Sequence, residues 1–260
     1  MTILEKITAN KHGEVEVKKA AFPISLLEKT PLFEKQTISL ATKLQNSKTG
    51  IIAEFKRRSP SKSVINDKAV IKDVALGYEN AGACGISVLT DTHYFGGSLD
   101  DLLLASSVVS IPLLRKEFIV DPYQIYEAKA YGADAILLIA ACLTKKELKE
   151  FSELAKSLDL IVLLEVHNRE ELHKSLLPSV DMLGINNRNL KTFEVSIDTS
   201  KKLSAFIPSE FIKISESGIS SVETIRELRE YGFQGFLIGE NFMKTENPGL
   251  SATNFIEKLK

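Results

Sequence analysis

The sequence predicts an α/β protein, a (β/α)8 TIM barrel with an N-terminal helical extension, on three observations. Short apolar runs rich in β-branched residues open repeatedly into charge. Ile51-Ile52-Ala53-Glu54-Phe55-Lys56-Arg57-Arg58 does so first, and Leu113-Leu114-Arg115-Lys116-Glu117, Ile161-Val162-Leu163-Leu164-Glu165 and Ile212-Lys213-Ile214-Ser215-Glu216 repeat it. Strands end this way when they carry reactive groups to the rim of a sheet. An internal repeat is the second observation: Ala81-Gly82-Ala83-Cys84-Gly85-Ile86, Tyr131-Gly132-Ala133-Asp134-Ala135-Ile136 and Tyr231-Gly232-Phe233-Gln234-Gly235-Phe236 share one pattern. Each sets a glycine where a helix should stop, because glycine takes the left-handed conformation without a Cβ clash. The three glycines stand at intervals of 50 and 100 residues, so two βα units fit each fifty and eight fit the chain. Third, the apolar runs are continuous rather than alternating, as parallel strands covered on both faces require. A doubly wound sheet is the alternative, but the glycine-rich dinucleotide fingerprint is missing.

The elements follow in order. Residues 1–48 fall outside the alternation, with mixed charge, Pro23, Pro31 and a helix predicted over about 33–46. They read as an extension packed on the barrel, either a partial lid or an arm with no role, within a single domain of 1–260. Strands are predicted near 51–55, 85–89, 112–116, 134–139, 160–166, 181–186, 211–215 and 235–239. Helices fill the gaps. Thr144-Lys145-Lys146-Glu147 and Ser220-Ser221-Val222-Glu223 read as capping boxes, and Ser98-Leu99-Asp100-Asp101 as a looser one. The helix after the third strand is predicted to start at Asp121-Pro122, proline suiting a first helical position.

Composition narrows the function. With 33 Lys plus Arg against 34 Asp plus Glu, the net charge of -1 leaves no footprint for nucleic acid. Cations gather instead at strand ends (Lys56, Arg57, Arg58, Lys62, Arg115, Lys116, Arg188), which suits a small anionic ligand. Cys84 and Cys142 lie in apolar segments without paired spacing and read as reduced core residues. His93, His167 and His173 read as loop or surface residues, with no metal-ligand cluster. The longest apolar run, Ala135 to Leu143, falls short of the roughly 20 residues a membrane span needs. The first residues, Met1 to Lys6, lack a signal peptide's regions, so the cytoplasm is the expected compartment.

In such a barrel the active site lies at the C-terminal ends of the strands. The predicted strands deliver Glu54 and Lys56, then Lys116, Glu165, Asn186 with Arg188, Glu216 with Ser217, and Gly239. Two lysines and three carboxylates at one mouth are equipment for acid–base chemistry on an anionic substrate. A phosphate would sit after the last two strands, where Gly218 and Gly239 let the backbone approach closely.

These residues also carry a resemblance. Glu54-Phe55-Lys56-Arg57-Arg58-Ser59-Pro60-Ser61, Leu114-Arg115-Lys116-Glu117-Phe118-Ile119-Val120-Asp121 and Leu164-Glu165-Val166-His167 closely resemble indole-3-glycerol phosphate synthases. Gly184-Ile185-Asn186-Asn187-Arg188, Glu216-Ser217-Gly218-Ile219 and Gly239-Glu240 continue the match in order. The first two motifs are specific; Gly-Glu alone is weak. The resemblance implies closure of 1-(2-carboxyphenylamino)-1-deoxyribulose 5-phosphate to indole-3-glycerol phosphate, with loss of carbon dioxide and water and without a cofactor or metal. It implies Lys116 as general acid and Glu165 as the group assisting proton removal. Lys56 would meet the substrate carboxylate or share the acid role, with Glu54 and Asn186 orienting it, and the resemblance leaves open which lysine acts at which step. Phe95, Phe118 and Leu137 would wall the aromatic ring. Ser59, Ser217, Gly218, Gly239 and Glu240 (through its backbone) would surround the phosphate, and Arg188 and Glu216 complete the binding set. Two departures stand out: Ser63 where a glycine is common, and Asn241 where the residue is usually smaller. The expected partner is a phosphorylated small molecule, with no membrane or nucleic acid, and the expected state is a monomer. A rival barrel such as phosphoribosylanthranilate isomerase would need cysteine and aspartate where the first strand offers Glu54 and Lys56. A non-catalytic binding protein would have no need for Lys56, Lys116 and Glu165 together.

Overall fold

Eight strands, β1 (Ile51–Phe55), β2 (Gly85–Leu89), β3 (Leu113–Lys116), β4 (Ala135–Ile139), β5 (Ile161–Val166), β6 (Met182–Asn186), β7 (Ile212–Glu216) and β8 (Gly235–Ile238), pair in parallel and in chain order. β8 pairs with β1 and closes the barrel, as the alternating pattern predicts. This computed structural model describes residues 2–190 and 192–260; Met1, the first residue of the extension, and Lys191 lie outside the described residues. Each strand falls within a residue of its predicted bounds. Gly82, Gly132 and Gly232 all take the left-handed conformation, with φ of 88°, 84° and 82°, so the repeat marks three helix ends as predicted.

Two apolar layers follow from the pleat. One face of the strands fills the barrel with Ile52, Leu114, Leu137, Leu163, Ile214 and Leu237. The opposite face, with Phe55, Val88, Ile136, Val162 and Phe236, packs under the helices. Successive side chains point to opposite faces, so residues two apart share one. Glu54 and Lys56 therefore rise together above the barrel interior.

The extension departs from expectation. The predicted helix over 33–46 shrinks to Leu40–Gln45, and two helices, Ile3–Ala21 and Ile24–Leu27, precede it. Residues 35–39 are not helical because their polar groups bond to the barrel. Ile38 N–H donates to Asp134 Oδ1 (2.9 Å) and the Thr37 hydroxyl to the Asp159 carbonyl (2.7 Å). The long helix is opened by a capping box between Thr2 and Glu5 and buries Ile7, Lys11 and Val15, one stripe at four-residue spacing. From the mouth the chain runs down beside the helix Tyr123–Ala130, and Leu40 and Leu44 enter the inner core at Gly85 and Gly235, the first residues of β2 and β8. Each such leucine stabilises by about 1.5–3 kcal/mol when fully buried.

Two helix starts are displaced. The Thr144–Glu147 box forms in both halves, but the next predicted box does not. Ser221, not Ser220, caps the helix Val222–Glu230, accepting from Thr224 N–H, because the strand-to-helix turn runs one residue longer. Pro122 occupies the cap of Tyr123–Ala130 rather than its first turn, and Asp121 Oδ1 accepts Tyr123 N–H (2.8 Å).

Candidate active site

A cavity of about 380 Å³ opens at the C-terminal ends of the strands. All fifteen residues singled out from the sequence line it: Glu54, Lys56, Ser59, Phe95, Lys116, Phe118, Leu137, Glu165, Asn186, Arg188, Glu216, Ser217, Gly218, Gly239 and Glu240. They come from all eight strands or the loops after them, so the closed barrel is what brings them together.

Lys116 stands at the centre. Its Nζ donates to Glu165 Oε2 (3.1 Å) and Glu216 Oε2 (3.0 Å), both carboxylates almost fully buried. Burial would lower the lysine's pKa, but Glu165, Glu216 and Glu54 outweigh it and raise it, so the group is an ammonium. One cation between two buried carboxylates splits them. Burial pushes Glu216 upward, with the charge of Glu165 adding to it. Glu165 is also raised by burial, but Lys116, His167 and the Asn186 amide (Nδ2 to Oε1, 3.2 Å) bring it below the usual range. Lys56 forms a separate pair with Glu54 Oε1 (2.6 Å), and the Ser87 hydroxyl donates to Glu54 Oε2 (3.4 Å).

The cavity is polar at one end and apolar at another. Phe95 and Phe118 pack with ring centroids 5.8 Å apart beside Leu137. Across from them Ser217 and Gly218 are both left-handed (φ 66° and 76°), and Gly239 precedes the short helix Glu240–Met243. The first N–H groups of a helix have no partner within it and suit an anion. Gly239 has a further reason to be glycine: a Cβ there would meet Glu54 Cβ and Cδ at 3.1 Å.

A family model for indole-3-glycerol phosphate synthase matches residues 4–255. Indole-3-glycerol phosphate synthase of Bacteroides thetaiotaomicron is 46% identical over 258 residues, 99% of each chain. The enzyme of Polaromonas naphthalenivorans is 42% identical over 253 residues, covering 96% of each. The chain belongs to the indole-3-glycerol phosphate synthase family. Its function is ring closure of 1-(2-carboxyphenylamino)-1-deoxyribulose 5-phosphate to indole-3-glycerol phosphate, a carboxy-lyase step of tryptophan biosynthesis. The synthase thus takes a phosphorylated small molecule as substrate. Among solved structures, thiamine phosphate pyrophosphorylase of Pyrococcus furiosus superposes with a TM-score of 0.60 at 16% identity, covering 82% of this chain and 97% of the other. A chain of the P. furiosus tryptophan synthase complex gives 0.58 at 17%, covering 80% and 95%. At such identities these two speak for the barrel alone.

Not every cation grouped with the strand ends serves the synthase's cavity. Arg115 is fully buried on the outer face, its guanidinium bound to Glu127 (2.5 Å) and the Gln124 carbonyl (2.7 Å). Arg57 holds Asp101 through two nitrogens (2.6 and 2.8 Å), and Arg58 donates to the Thr92 carbonyl. Lys62 reaches Glu240 Oε1 (3.1 Å), so its charge is paired with that side chain. The expectation of a cationic rim therefore reduces to Lys56, Lys116 and Arg188.

Sequence reasoning missed two contributions. Ile3, Leu4 and Ile7 of the extension line the cavity, and the Thr2-Ile3-Leu4-Glu5 capping signature could have placed them at a helix start. His167 follows β5 in a bend, as a loop residue should, but it is not a surface group: its side chain is only 12% exposed, with Nε2 3.3 Å from Glu165 Oε1. Its spacing two residues beyond Glu165 was the available signal. His93 and His173 are exposed as expected, although both sit in helices.

Proposed function

We propose that Lys116 is the general acid of the ring closure, protonating the ribulose carbonyl oxygen as the anthranilate ring attacks its carbon. Glu165 assists removal of the proton lost during dehydration. Lys56, oriented by Glu54, binds the substrate carboxylate; Asn186, expected beside Lys56, instead donates to Glu165 Oε1 (3.2 Å) and orients that carboxylate. Phe95, Phe118 and Leu137 hold the ring, and Ser59, Ser217, Gly218, Gly239 and the Glu240 backbone hold the phosphate, with Arg188 and Glu216 completing the pocket. The observation that carries this reading is the position of Lys116, an ammonium between two buried carboxylates within one cavity that has an aromatic wall and a phosphate-like seat. Pinning both ends of a flexible substrate brings the reacting carbons together, where effective molarity supplies much of the acceleration.

The test is indole-3-glycerol phosphate formation, followed by fluorescence with EDTA present. Lys116→Ala is expected to lower kcat by about 10²–10⁴, with KM changed far less. A loss under about tenfold would remove Lys116 from the acid's role. We propose further that residues 1–260 act as one domain, that the protein is a monomer, and that it works in the cytoplasm. Light scattering giving the mass of two chains would overturn the second of these. Among the described residues no helix is long and apolar enough to cross a membrane.

A further inference from the structure

We propose that His167 is a positioning residue for this reaction: clamped by Glu171, it presents a cationic imidazole to Glu165 and supplies the positive charge beside that carboxylate when Lys116 gives up its proton. This rests on the reading of Lys116 as acid and Glu165 as base.

The geometry is a line of three side chains. Glu171 Oε2 accepts the His167 backbone N–H (2.8 Å) and stands 3.1 Å from the ring's Nδ1. Asn168 Nδ2 donates to the other Glu171 oxygen (2.7 Å), so the carboxylate is itself held from two sides. With Nδ1–H directed to Glu171, the free edge of the ring is Nε2, which is buried and lies 3.3 Å from Glu165 Oε1 without an aligned hydrogen bond. A buried nitrogen facing a buried carboxylate is costly if neutral and favourable if it carries a proton. Glu165 thus has Lys116 on one oxygen, and Asn186 and His167 on the other.

The chemistry gives that arrangement a purpose. Among the described residues, Lys116 is the one ammonium paired with both Glu165 and Glu216. When its proton moves to the substrate oxygen, the lysine becomes neutral and both carboxylates lose their cation. An imidazolium at His167 keeps Glu165 ionised through that step and lowers the cost of the transfer, because it offsets the carboxylates that hold the proton on Lys116. The groups facing the ring favour its charged form: burial opposes it, but Glu171, Glu165 and Glu216 outweigh burial and raise the imidazole above its ordinary value. Lys116 lies beyond Glu165, and Cys142, near Glu165 and Glu171, has its thiol pushed up to about 12, chiefly by burial, so it stays neutral.

Two measurements test this. The first is an NMR titration of the His167 ring in the wild-type enzyme, in Glu165→Gln and in Glu171→Gln. Its pKa should lie above 6.5 in wild type and fall by about one unit in each variant, as loss of a facing charge requires. An unchanged value in Glu165→Gln would show that the ring does not sense the base, and would overturn the proposal. The second is the pH profile of kcat/KM. In wild type the rate should fall as pH rises through the His167 pKa. In Glu171→Gln that limb should move to lower pH, and in His167→Gln it should vanish, with kcat lower by about tenfold. A histidine that merely packs would lower the rate equally at every pH, and parallel profiles would overturn the proposal. The underlying reading fails separately: Glu165→Gln would then keep nearly full activity, whatever His167 does.

Discussion

Lys56 and Lys116 each stand beside a glutamate, yet their surroundings assign them different work. Lys116 is enclosed, shared by two carboxylates and surrounded by the cavity floor; Lys56 is more exposed and pairs with Glu54 alone. A charge-assisted contact to a substrate carboxylate is worth about 1.5–3 kcal/mol. Lys56→Met should therefore lower kcat/KM by roughly tenfold to a hundredfold, chiefly through KM, whereas Lys116→Ala acts on kcat. Steady-state kinetics separates the two, and equal effects on kcat would merge the roles. Gly239 offers a second test at this scale. Alanine there would press on Glu54 and move it with its partner Lys56, so Gly239→Ala should cost about 10²-fold in kcat/KM with thermal stability nearly unchanged.

Among the elements, the N-terminal helix is tied to the barrel by one buried cation. Lys11 Nζ stands 2.9 Å from Asp91 Oδ2 and 3.3 Å from Glu117 Oε1, with all three side chains at 5% exposure or less. Asp91 caps the short helix that carries Phe95, and Glu117 accepts Phe118 N–H (2.9 Å), so the same lysine steadies both aromatic walls. Lys11→Met should destabilise the fold by about 3–5 kcal/mol in urea unfolding, because two buried carboxylates lose their partner. The displaced helix start makes a sharper prediction. Ser221→Ala should cost about 1 kcal/mol as a lost cap, while Ser220→Ala leaves the unfolding midpoint almost unmoved.

For the molecule as a whole, the buried pairs set its behaviour with pH. Burial would raise Glu127, but Arg115 and Lys18 outweigh it and hold the carboxyl below its ordinary 4.5. A folded-state pKa below the unfolded one adds stability that is present above about pH 4.5 and is lost as pH falls through the lowered value. Glu171, lowered chiefly by His167 against the effect of burial, has the same sign. Lys11 has the opposite sign. Its pKa is raised because Glu117 and Asp91 outweigh burial, so its contribution is full below 10.5 and lost as pH rises through the folded value. Chemical unfolding across pH should show a stability plateau bounded on both sides. Glu127→Gln should flatten the acid limb, and an unaltered limb would locate the acid sensitivity elsewhere.

By itself the sequence determined the order of eight parallel strands, the three glycine stops and the set of residues at the strand ends. Those are local properties: a strand buried on both faces must be continuously apolar, and its chemistry begins where the apolar run stops. The same continuity hid the direction of each side chain. Because both faces of β3 are apolar, nothing local said that Lys116 turns into the barrel while Arg115 turns out to Glu127. The charge partners were hidden too. Lys116 meets Glu216 across 100 residues, and Lys19 of the extension meets Asp121 across 102. Such pairs exist only after the barrel has closed and the pleat has been assigned its inner face, which is a property of strand register around the whole ring and not of any segment.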